Sequence, residues 1–386
     1  MHWLPTIIFT LSALFLLYVL AGYPFLLAFL SKRLKKPVRK GLYEPGVAVL
    51  IPVRNGRSYV RRKLDSILQL DYPSEKLEIL VISDGSTDET DDIVREYADR
   101  GVRLLRVPNG GKPAALTAGI PQTQHEILLL TDIRQVLEPQ SLRRMLCCFA
   151  DPTVGVVSGE LLIRKGDNLA ESNIGLYWKF ESWIRNRLSD IDSMLGATGP
   201  FYAIRRDLLV PMRADTLLDD VFLPLGAFFK GYRLVVEESA RAYDDPTSLS
   251  TEFRRKVRTL AGNYQIMQRV PAVLTFRNRM WVHFVSIKLG RLLLPFALIA
   301  IAITSFWLPE RWMAIAAVAI QAAVYGLALL DFFSGWIPED FILKKLSAAA
   351  RTFVVMMAAA FCAVSVFFVS PQKLWTPTKT RTSGAA

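Results

Sequence analysis

Two carboxylates, Asp84 and Asp132, each follow a run of apolar and β-branched residues at the point where the run ends. The runs 77–83 and 126–130 are typical of buried strands, and open α/β sheets bind ligands at the carboxyl ends of their strands. One carboxylate there can accept hydrogen bonds from a ribose or a base, while the other holds a divalent ion against a diphosphate. The pair predicts a site for a metal-bridged nucleoside diphosphate. The competing interpretation is that each Asp only caps a loop or a helix.

Two glycines and Lys112 lie between these carboxylates, in the segment 109–119. The amides at the start of the following helix, together with the lysine, favour binding of a diphosphate. An ordinary loop is the alternative.

Asp219 and Asp220 stand at the start of a predicted helix, 217–229. Such a pair complements the helix dipole. Alternatively, one member with a raised pKa removes a proton from an attacking hydroxyl.

A basic helical stretch, 251–262, comes just before the apolar C-terminal region. Its cations can bind anionic lipid headgroups or stabilise a departing diphosphate, and both uses can coexist.

Short apolar runs alternate with amphipathic stretches over the first part of the chain, which predicts a mostly parallel, doubly wound sheet. The turn 51–56 after the first strand lacks a Gly-x-Gly-x-x-Gly sequence, so the phosphate fingerprint of a dinucleotide-binding domain is missing. The predicted strands are 47–53, 77–83, 102–107, 126–130 and 154–158; the predicted helices are 58–70, 89–99, 112–119, 141–149, 168–188, 217–229 and 249–267.

The composition predicts that part of the chain lies in lipid, because 52% of the 386 residues are hydrophobic and the mean hydropathy is positive. The net charge of +12 comes largely from basic residues beside apolar segments, as at 32–36, which is typical of cytoplasmic membrane flanks. No nucleic-acid-binding signature is visible. Three cysteines give no disulfide framework and suit a reducing compartment.

One N-terminal and several C-terminal segments are apolar enough to enter a membrane. Residues 3–30 carry no charge and end at a basic flank, which predicts a retained anchor with its N-terminus outside. An amphipathic interface helix at 282–293 precedes candidate spans at 292–308, 312–330 and 352–369. Lys344, Lys345 and Arg351 are predicted to form a cytoplasmic loop before the last span. If all three segments cross the membrane, the basic tail ends outside, which conflicts with the positive-inside rule. The alternative is that one of the three segments is re-entrant or interfacial.

Taken in order, these stretches resemble the membrane-bound family 2 glycosyltransferases of the cellulose synthase-like, hyaluronan synthase-like and poly-N-acetylglucosamine synthase-like group. The resemblance runs from the first strand at 47 to the basic helix ending near 267, and extends to the membrane segments around it. It implies an α/β catalytic domain of the GT-A fold, Rossmann-like with a mostly parallel doubly wound sheet, plus α-helical transmembrane segments.

The resemblance also implies roles for single residues. Asp84 would contact the base or ribose, and Asp132, as the first Asp of the family's Asp-x-Asp motif, would bind the donor sugar nucleotide and a metal ion. Asp220 falls on the Asp of the Thr-Glu-Asp motif and would be the general base. Arg258, in the family's Gln-x-x-Arg-Trp position, would face the diphosphate. The remaining expected site residues are Pro52 and Lys112 on the donor side and Thr198, Gly199 and Asp219 on the acceptor side.

Three positions depart from the family pattern. Arg134 stands where the second, metal-binding Asp is expected, so it either supplies positive charge itself or weakens metal binding. Arg255 and Thr259 replace the Gln and the Trp of the family motif. The missing aromatic surface argues against a long processive product.

The sequence therefore predicts a family 2 hexosyltransferase that inverts the sugar it moves from a nucleoside diphosphate donor, UDP-linked and with Mg²⁺ or Mn²⁺, to a hydroxyl acceptor at the inner membrane. Exopolysaccharide synthesis is the favoured function. The alternative acceptor is a lipid such as a polyprenyl phosphate or glycolipid. The alternative to an enzyme is a non-catalytic scaffold of a polysaccharide synthesis or export complex. The expected partners are the donor, the acceptor, membrane lipids and further copies or export subunits, with no nucleic acid. The predicted domains are 1–31, a membrane anchor; 41–270, a cytoplasmic catalytic domain; 271–291, an interface helix; 292–370, transmembrane helices; and 371–386, a tail.

Overall fold

The computed structural model describes residues 3–164, 169–245, 249–333, 337–338 and 341–374. These residues divide into two units. The sheet unit contains the described residues of Leu30–Arg164 and Ser182–Asp245, and the helical unit contains the rest. The predicted tail beyond residue 374 lies outside the described part of the chain. The domain boundaries at 31, 41, 270, 291 and 370 stay predictions.

The sheet unit is built on eight strands. They are β1 Val47–Val53, β2 Leu77–Asp84, β3 Val102–Val107, β4 Ile127–Thr131, β5 Val136–Leu137, β6 Val154–Ile163, β7 Phe201–Arg205 and β8 Arg233–Asp244. Their order in the sheet is β3-β2-β1-β4-β7-β6-β8-β5. The pairings β1/β2, β1/β4, β2/β3 and β6/β8 are parallel, and β4/β7, β6/β7 and β5/β8 are antiparallel. The predicted α/β class with a mostly parallel sheet is confirmed.

Thirteen α-helices are described. They are α1 Trp3–Leu17, α2 Tyr23–Arg33, α3 Arg57–Leu68, α4 Thr90–Arg95, α5 Lys112–Gly119, α6 Ser141–Cys147, α7 Leu169–Ile191, α8 Asp219–Phe229, α9 Leu249–Arg269, α10 Trp281–Phe284, α11 Gly290–Thr304, α12 Arg311–Phe333 and α13 Ile342–Cys362. Short π-helical stretches, Tyr18–Gly22 and Val285–Leu289, join α1 to α2 and α10 to α11.

The central strands β1 and β4 are buried along their whole length, as expected for strands covered on both faces. Alternate residues of β1, such as Val49 and Ile51, pack in one core with Val60 and Leu64 of α3. This packing holds the carboxyl ends of the strands at one edge of the sheet, where the predicted site residues follow.

The second half of the sheet departs from the predicted strict alternation. Residues 201–205, for which no strand was predicted, form β7, which is antiparallel to both of its neighbours. The strands β5 and β8 were not predicted. Strand β8 is the longest of the eight, and it mixes buried with exposed positions, so it lacks the continuous apolar run that identifies β1 and β4.

Four described helical segments are long and apolar enough to cross a membrane: Trp3–Arg33, Trp281–Trp307, Arg311–Phe333 and Ile342–Phe367. The prediction that Lys344, Lys345 and Arg351 form a loop was wrong, because all three lie in α13. Lys344 and Arg351 reach Asp331 of α12 with N–O distances of 2.9 and 3.3 Å. These ion pairs neutralise the cations, so the helix can begin ten residues earlier than the predicted span.

Shortening a side chain in the sheet core should destabilise the fold. Leu129 of β4 is fully buried in the core cluster, so we expect Leu129→Ala to lower the free energy of unfolding by about 2–5 kcal/mol. Leu42→Ala, at a side chain that is 85% exposed, is the matched control and should change it little. Thermal unfolding of the detergent-purified protein followed by near-UV circular dichroism measures both; equal shifts in the two variants would contradict the assigned core.

Candidate active site

The ammonium of Lys112 links two carboxylates that are far apart in the sequence. Its Nζ lies 2.8 Å from Asp132 Oδ1 and 3.1 Å from Asp219 Oδ2. Burial works against its charge, but Asp132, Asp219 and Asp220 outweigh burial and raise the pKa of Lys112 above its usual value. The structure therefore brings three other predicted site residues together around the protonated Lys112.

Asp84 fixes the loop that carries this lysine. The carboxylate is 4% exposed and accepts hydrogen bonds from the amides of Gly110 at 2.7 Å and Gly111 at 2.9 Å. Gly111 has a φ of +85°, a conformation that favours glycine, and Lys112 follows it as the first residue of α5. Asp84 thus holds the loop before Lys112, as in the competing interpretation of Asp84 as a loop cap, and its contact with a base or ribose stays a prediction.

The turn after β1 is tied to the turn after β2. Asn55 has a positive φ of 51° and accepts a hydrogen bond at its Oδ1 from the amide of Thr87 at 2.8 Å. The amide of Gly56 donates to Thr90 Oγ1 at 2.8 Å. Pro52 is buried one residue before the end of β1, in register with Ile82. These bonds fix the sheet edge that carries Asp84.

The loop before β7 packs directly against Asp220. A side-chain carbon added at Gly199 would lie 2.6 Å from Asp220 Oδ2, closer than non-bonded atoms approach, so a larger residue there would have to displace the carboxylate of Asp220. The amide of Ala197 donates to the carbonyl of Asp220 at 2.8 Å, and the amide of Thr198 donates to Ser158 Oγ at 2.9 Å. The predicted acceptor-side residues Thr198, Gly199 and Asp219 therefore belong to the same site as the predicted base.

Tyr202 is a site residue that the sequence analysis missed. Its side chain on β7 is fully buried, and its hydroxyl has no hydrogen-bond partner among the described residues, as is also true of Thr198 Oγ1. Burial raises the pKa of Tyr202, and Asp219, Asp220 and Asp132 raise it further. Buried polar groups without a partner are costly, so these two hydroxyls carry a cost that no contact among the described residues offsets.

Arg134 does not join this cluster. Its guanidinium pairs with Asp244 at the end of β8, and Gln135 Nε2 donates to the same carboxylate oxygen at 2.7 Å. The positive charge of Arg134 is therefore neutralised by the sheet. Arg258 lies on α9, in the helical unit, and its predicted contact with a diphosphate stays a prediction.

A divalent ion at this site would need ligands from the substrate in addition to protein side chains. Among the described residues there is no group of three or more His, Cys, Asp or Glu side chains arranged to hold a metal. Asp132 is the one carboxylate at the predicted metal position, and its side chain is 35% exposed. Since Mg²⁺ commonly uses one or two carboxylates together with phosphates and water, Asp132 suits an ion completed by a bound diphosphate.

Lys63 lies beneath the segment that carries Asp132. It is 1% exposed on α3, and its ammonium donates to Thr131 Oγ1 at 2.6 Å and to the carbonyl of Gln135 at 2.8 Å. Burial lowers the pKa of Lys63 to about 7, an effect that Asp132 and Asp244 partly offset. Nothing in the sequence indicates that Lys63 is buried, because a lysine in an amphipathic helix usually faces solvent.

Comparison with known proteins defines the class of this site. Residues 48–210 match the family described as Glycosyl transferase family 2. The chain is 25% identical over 239 residues to a probable glycosyltransferase, YdaM, of Bacillus subtilis, covering 58% of this chain and 56% of the relative. It is 24% identical over 267 residues to a poly-beta-1,6-N-acetyl-D-glucosamine synthase of Staphylococcus aureus, covering 64% of both. The chain thus spans less than two thirds of the length of these relatives.

A solved structure with a similar fold covers nearly the whole chain. It is the mannosyltransferase PcManGT of Pyrobaculum calidifontis in complex with GDP-Man and Mn²⁺, with a TM-score of 0.70 and 23% identity, covering 94% of this chain and 99% of that one. At this identity the likeness concerns the fold. Residues 48–210 are thus similar to a glycosyltransferase family 2 domain, the fold is of the GT-A type, and four described helical segments are apolar enough to cross a membrane. The matches confirm the predicted family resemblance and support the predicted class of enzyme.

The buried lysine beneath Asp132 should make folding stability depend on pH. Below about pH 7 the ammonium of Lys63 is protonated in both folded and unfolded chains. Between about pH 7 and its ordinary pKa of 10.5 only the unfolded chain keeps the proton, so stability should rise with pH by up to about 1.4 kcal/mol per unit.

We expect Lys63→Met to remove this rise, as measured by denaturant unfolding from pH 6 to 9.5. Lys230→Met, which removes an exposed lysine of the same unit, is the control and should keep the wild-type slope. Parallel pH profiles for the wild type and Lys63→Met would show that this lysine keeps its ordinary pKa.

Proposed function

We infer that this protein is an inverting glycosyltransferase that moves a sugar from a nucleoside diphosphate to an acceptor hydroxyl at the cytoplasmic face of the inner membrane. The observation that carries this proposal is the bridge from Lys112 to Asp132 and Asp219, beside Asp220. A protonated lysine among carboxylates at the carboxyl edge of a sheet can exchange a carboxylate partner for a diphosphate oxygen.

In the proposed reaction, Asp220 removes the proton from the acceptor hydroxyl. The acceptor oxygen attacks the anomeric carbon in line and forms the new glycosidic bond, while the bond from that carbon to the diphosphate oxygen breaks and its electron pair leaves with the diphosphate. Lys112 and Arg258 stabilise the charge that develops on the leaving group. The carbonyl of Asp220 accepts a hydrogen bond from the amide of Ala197 at 2.8 Å, which supports this role because it ties Asp220 to the loop on the proposed acceptor side.

The donor side of the proposed site is formed by Pro52, Asp84, Lys112 and Asp132. Asp132 would hold the divalent ion together with the diphosphate, and Mg²⁺ or Mn²⁺, when bound, would supply further positive charge for the leaving group. The Mn²⁺ and GDP-Man bound by the mannosyltransferase of similar fold support a nucleotide sugar with a divalent ion. For this chain we propose a UDP-sugar, with a GDP-sugar as the alternative.

The acceptor side of the proposed site is formed by Thr198, Gly199 and Asp219. The loop that holds Thr198 and Gly199 contacts Asp220 through the amide of Ala197, which supports binding of an acceptor hydroxyl beside this residue. Exopolysaccharide synthesis is the favoured setting, supported by the poly-N-acetylglucosamine synthase among the relatives. A lipid acceptor is the second candidate, and it is favoured by Thr259, which stands in place of the aromatic surface expected under a growing glycan.

Removing the proposed base should stop transfer while the donor still binds. Asp220→Asn keeps the size of the side chain but cannot accept the proton, so we expect kcat to fall by about 10²–10⁴-fold with donor affinity nearly unchanged. Asp215→Asn, which removes a nearby carboxylate paired with Arg213, is the matched control and should keep full activity. Substantial turnover by Asp220→Asn would refute the assignment of the base.

The donor and the metal are tested by measuring release of the nucleoside diphosphate from a panel of UDP- and GDP-sugars, using the full chain in detergent with and without Mn²⁺. We expect UDP to be released from a UDP-sugar, and we expect Mn²⁺ to stimulate this release. In the variant Asp132→Asn, the release should no longer respond to Mn²⁺. Release from GDP-sugars alone would assign the alternative donor. No release from any sugar, with the fold intact, would favour a non-catalytic scaffold.

A further inference from the structure

A cavity of about 530 Å³ lies within the helical unit, and none of the residues assigned to the proposed active site lines it. Its wall is formed by the first half of α9, by α11 and by the C-terminal end of α13 with the turns that follow it. Phe253 and Val257 of α9 face Phe296 of α11, with Phe361 and Phe368 completing the wall. The rings of Phe296 and Phe361 are 5.7 Å apart. The cavity has the size of a small-molecule site and the apolar lining such sites have.

Two cations stand at this otherwise apolar cavity. Arg254 of α9 and Lys373 of the segment Pro371–Leu374 are both exposed and both line it. No Asp or Glu is among its lining residues. A ligand that complements this wall has a long apolar part, which matches the phenylalanines, and an anionic head, because Arg254 and Lys373 are both positively charged.

We propose that this cavity binds one anionic phospholipid of the bilayer, with an acyl chain against the phenylalanines and the phosphate between Arg254 and Lys373. The helices that form the cavity include two candidate membrane spans, Trp281–Trp307 and Ile342–Phe367, so bilayer lipid is the apolar molecule present there at highest concentration. Each basic side chain near an anionic lipid surface raises the affinity about fivefold. The charge pattern therefore selects an anionic headgroup over a zwitterionic one.

This occupant would hold α9 against the membrane helices. Three residues of the wall, Phe253, Arg254 and Val257, come from one face of α9, and the remaining residues come from α11, from the end of α13 and from the turns that follow it. A bound acyl chain fills the space between these helices, so a bound lipid should also raise the thermal stability of the full chain.

Native mass spectrometry of the full chain in detergent tests the proposal, with phosphatidylglycerol and phosphatidylcholine of identical acyl chains as probes. We expect one phosphatidylglycerol to bind with at least tenfold preference. The double variant Arg254→Gln/Lys373→Gln should lose about tenfold or more in affinity for it. The matched control Arg277→Gln/Lys345→Gln removes two exposed cations of the same unit that do not line the cavity, and should keep wild-type affinity.

Cys362 locates the bound lipid, because it lines the cavity and is exposed. Phosphatidylglycerol should slow its alkylation by N-ethylmaleimide, read by peptide mass spectrometry, while Cys147 of the sheet unit serves as the internal reference. Equal binding of both phospholipids, equal loss in the control variant, or no protection of Cys362 would each overturn the proposal. Displacement of the phospholipid by a polyprenyl phosphate at much lower concentration would also overturn it, and would make the cavity an acceptor site.

Discussion

The site depends on one electrostatic constraint: several carboxylates lie close together in a partly buried place. Asp132 and Asp219 would repel each other without a cation between them. Lys112 supplies that cation, with N–O distances of 2.8 and 3.1 Å. Removing Lys112 would leave the buried Asp219 without a counter-charge, whereas solvent screens the charge of Asp132, whose side chain is 35% exposed. The proposed reaction uses the same lysine, because an incoming diphosphate can take the place of one carboxylate partner of Lys112.

Strand topology brings the remaining groups to this lysine. The parallel strands β1, β2 and β4 end at one edge of the sheet and carry Asp84 and Asp132 there. Strand β7 then enters beside β4 in the opposite direction, with Phe201 opposite Thr131, and the amide of Asp132 donates to the carbonyl of Pro200 at 3.3 Å. This antiparallel pairing places the loop with Gly199 beside Asp132. The irregular half of the sheet is therefore what joins the proposed donor and acceptor sides.

Much of this architecture could be predicted from the sequence, and the limits have physical reasons. Strands β1 and β3 and helix α5 have the predicted bounds, because apolar runs and the Gly-Gly-Lys turn signal them locally. Lys63 was missed because its partners Thr131 and Gln135 are 68 and 72 residues away in the sequence. Tyr202 was missed because a tyrosine in a strand gives no sign that its hydroxyl lacks a partner. Arg134 was recognised as a departure, but its pairing with Asp244 depends on strand β8, which has no local signal.

The most direct test of the central claim is the affinity of the purified full chain for UDP and GDP, measured by isothermal titration calorimetry before and after Lys112→Met. If Lys112 is the cation that a diphosphate shares with Asp132 and Asp219, the variant should remain folded and bind the preferred nucleotide at least about tenfold more weakly, the loss of one charge-assisted contact. Unchanged affinity in a folded Lys112→Met protein would contradict the account, because the cluster would then be structural and the nucleotide would bind elsewhere.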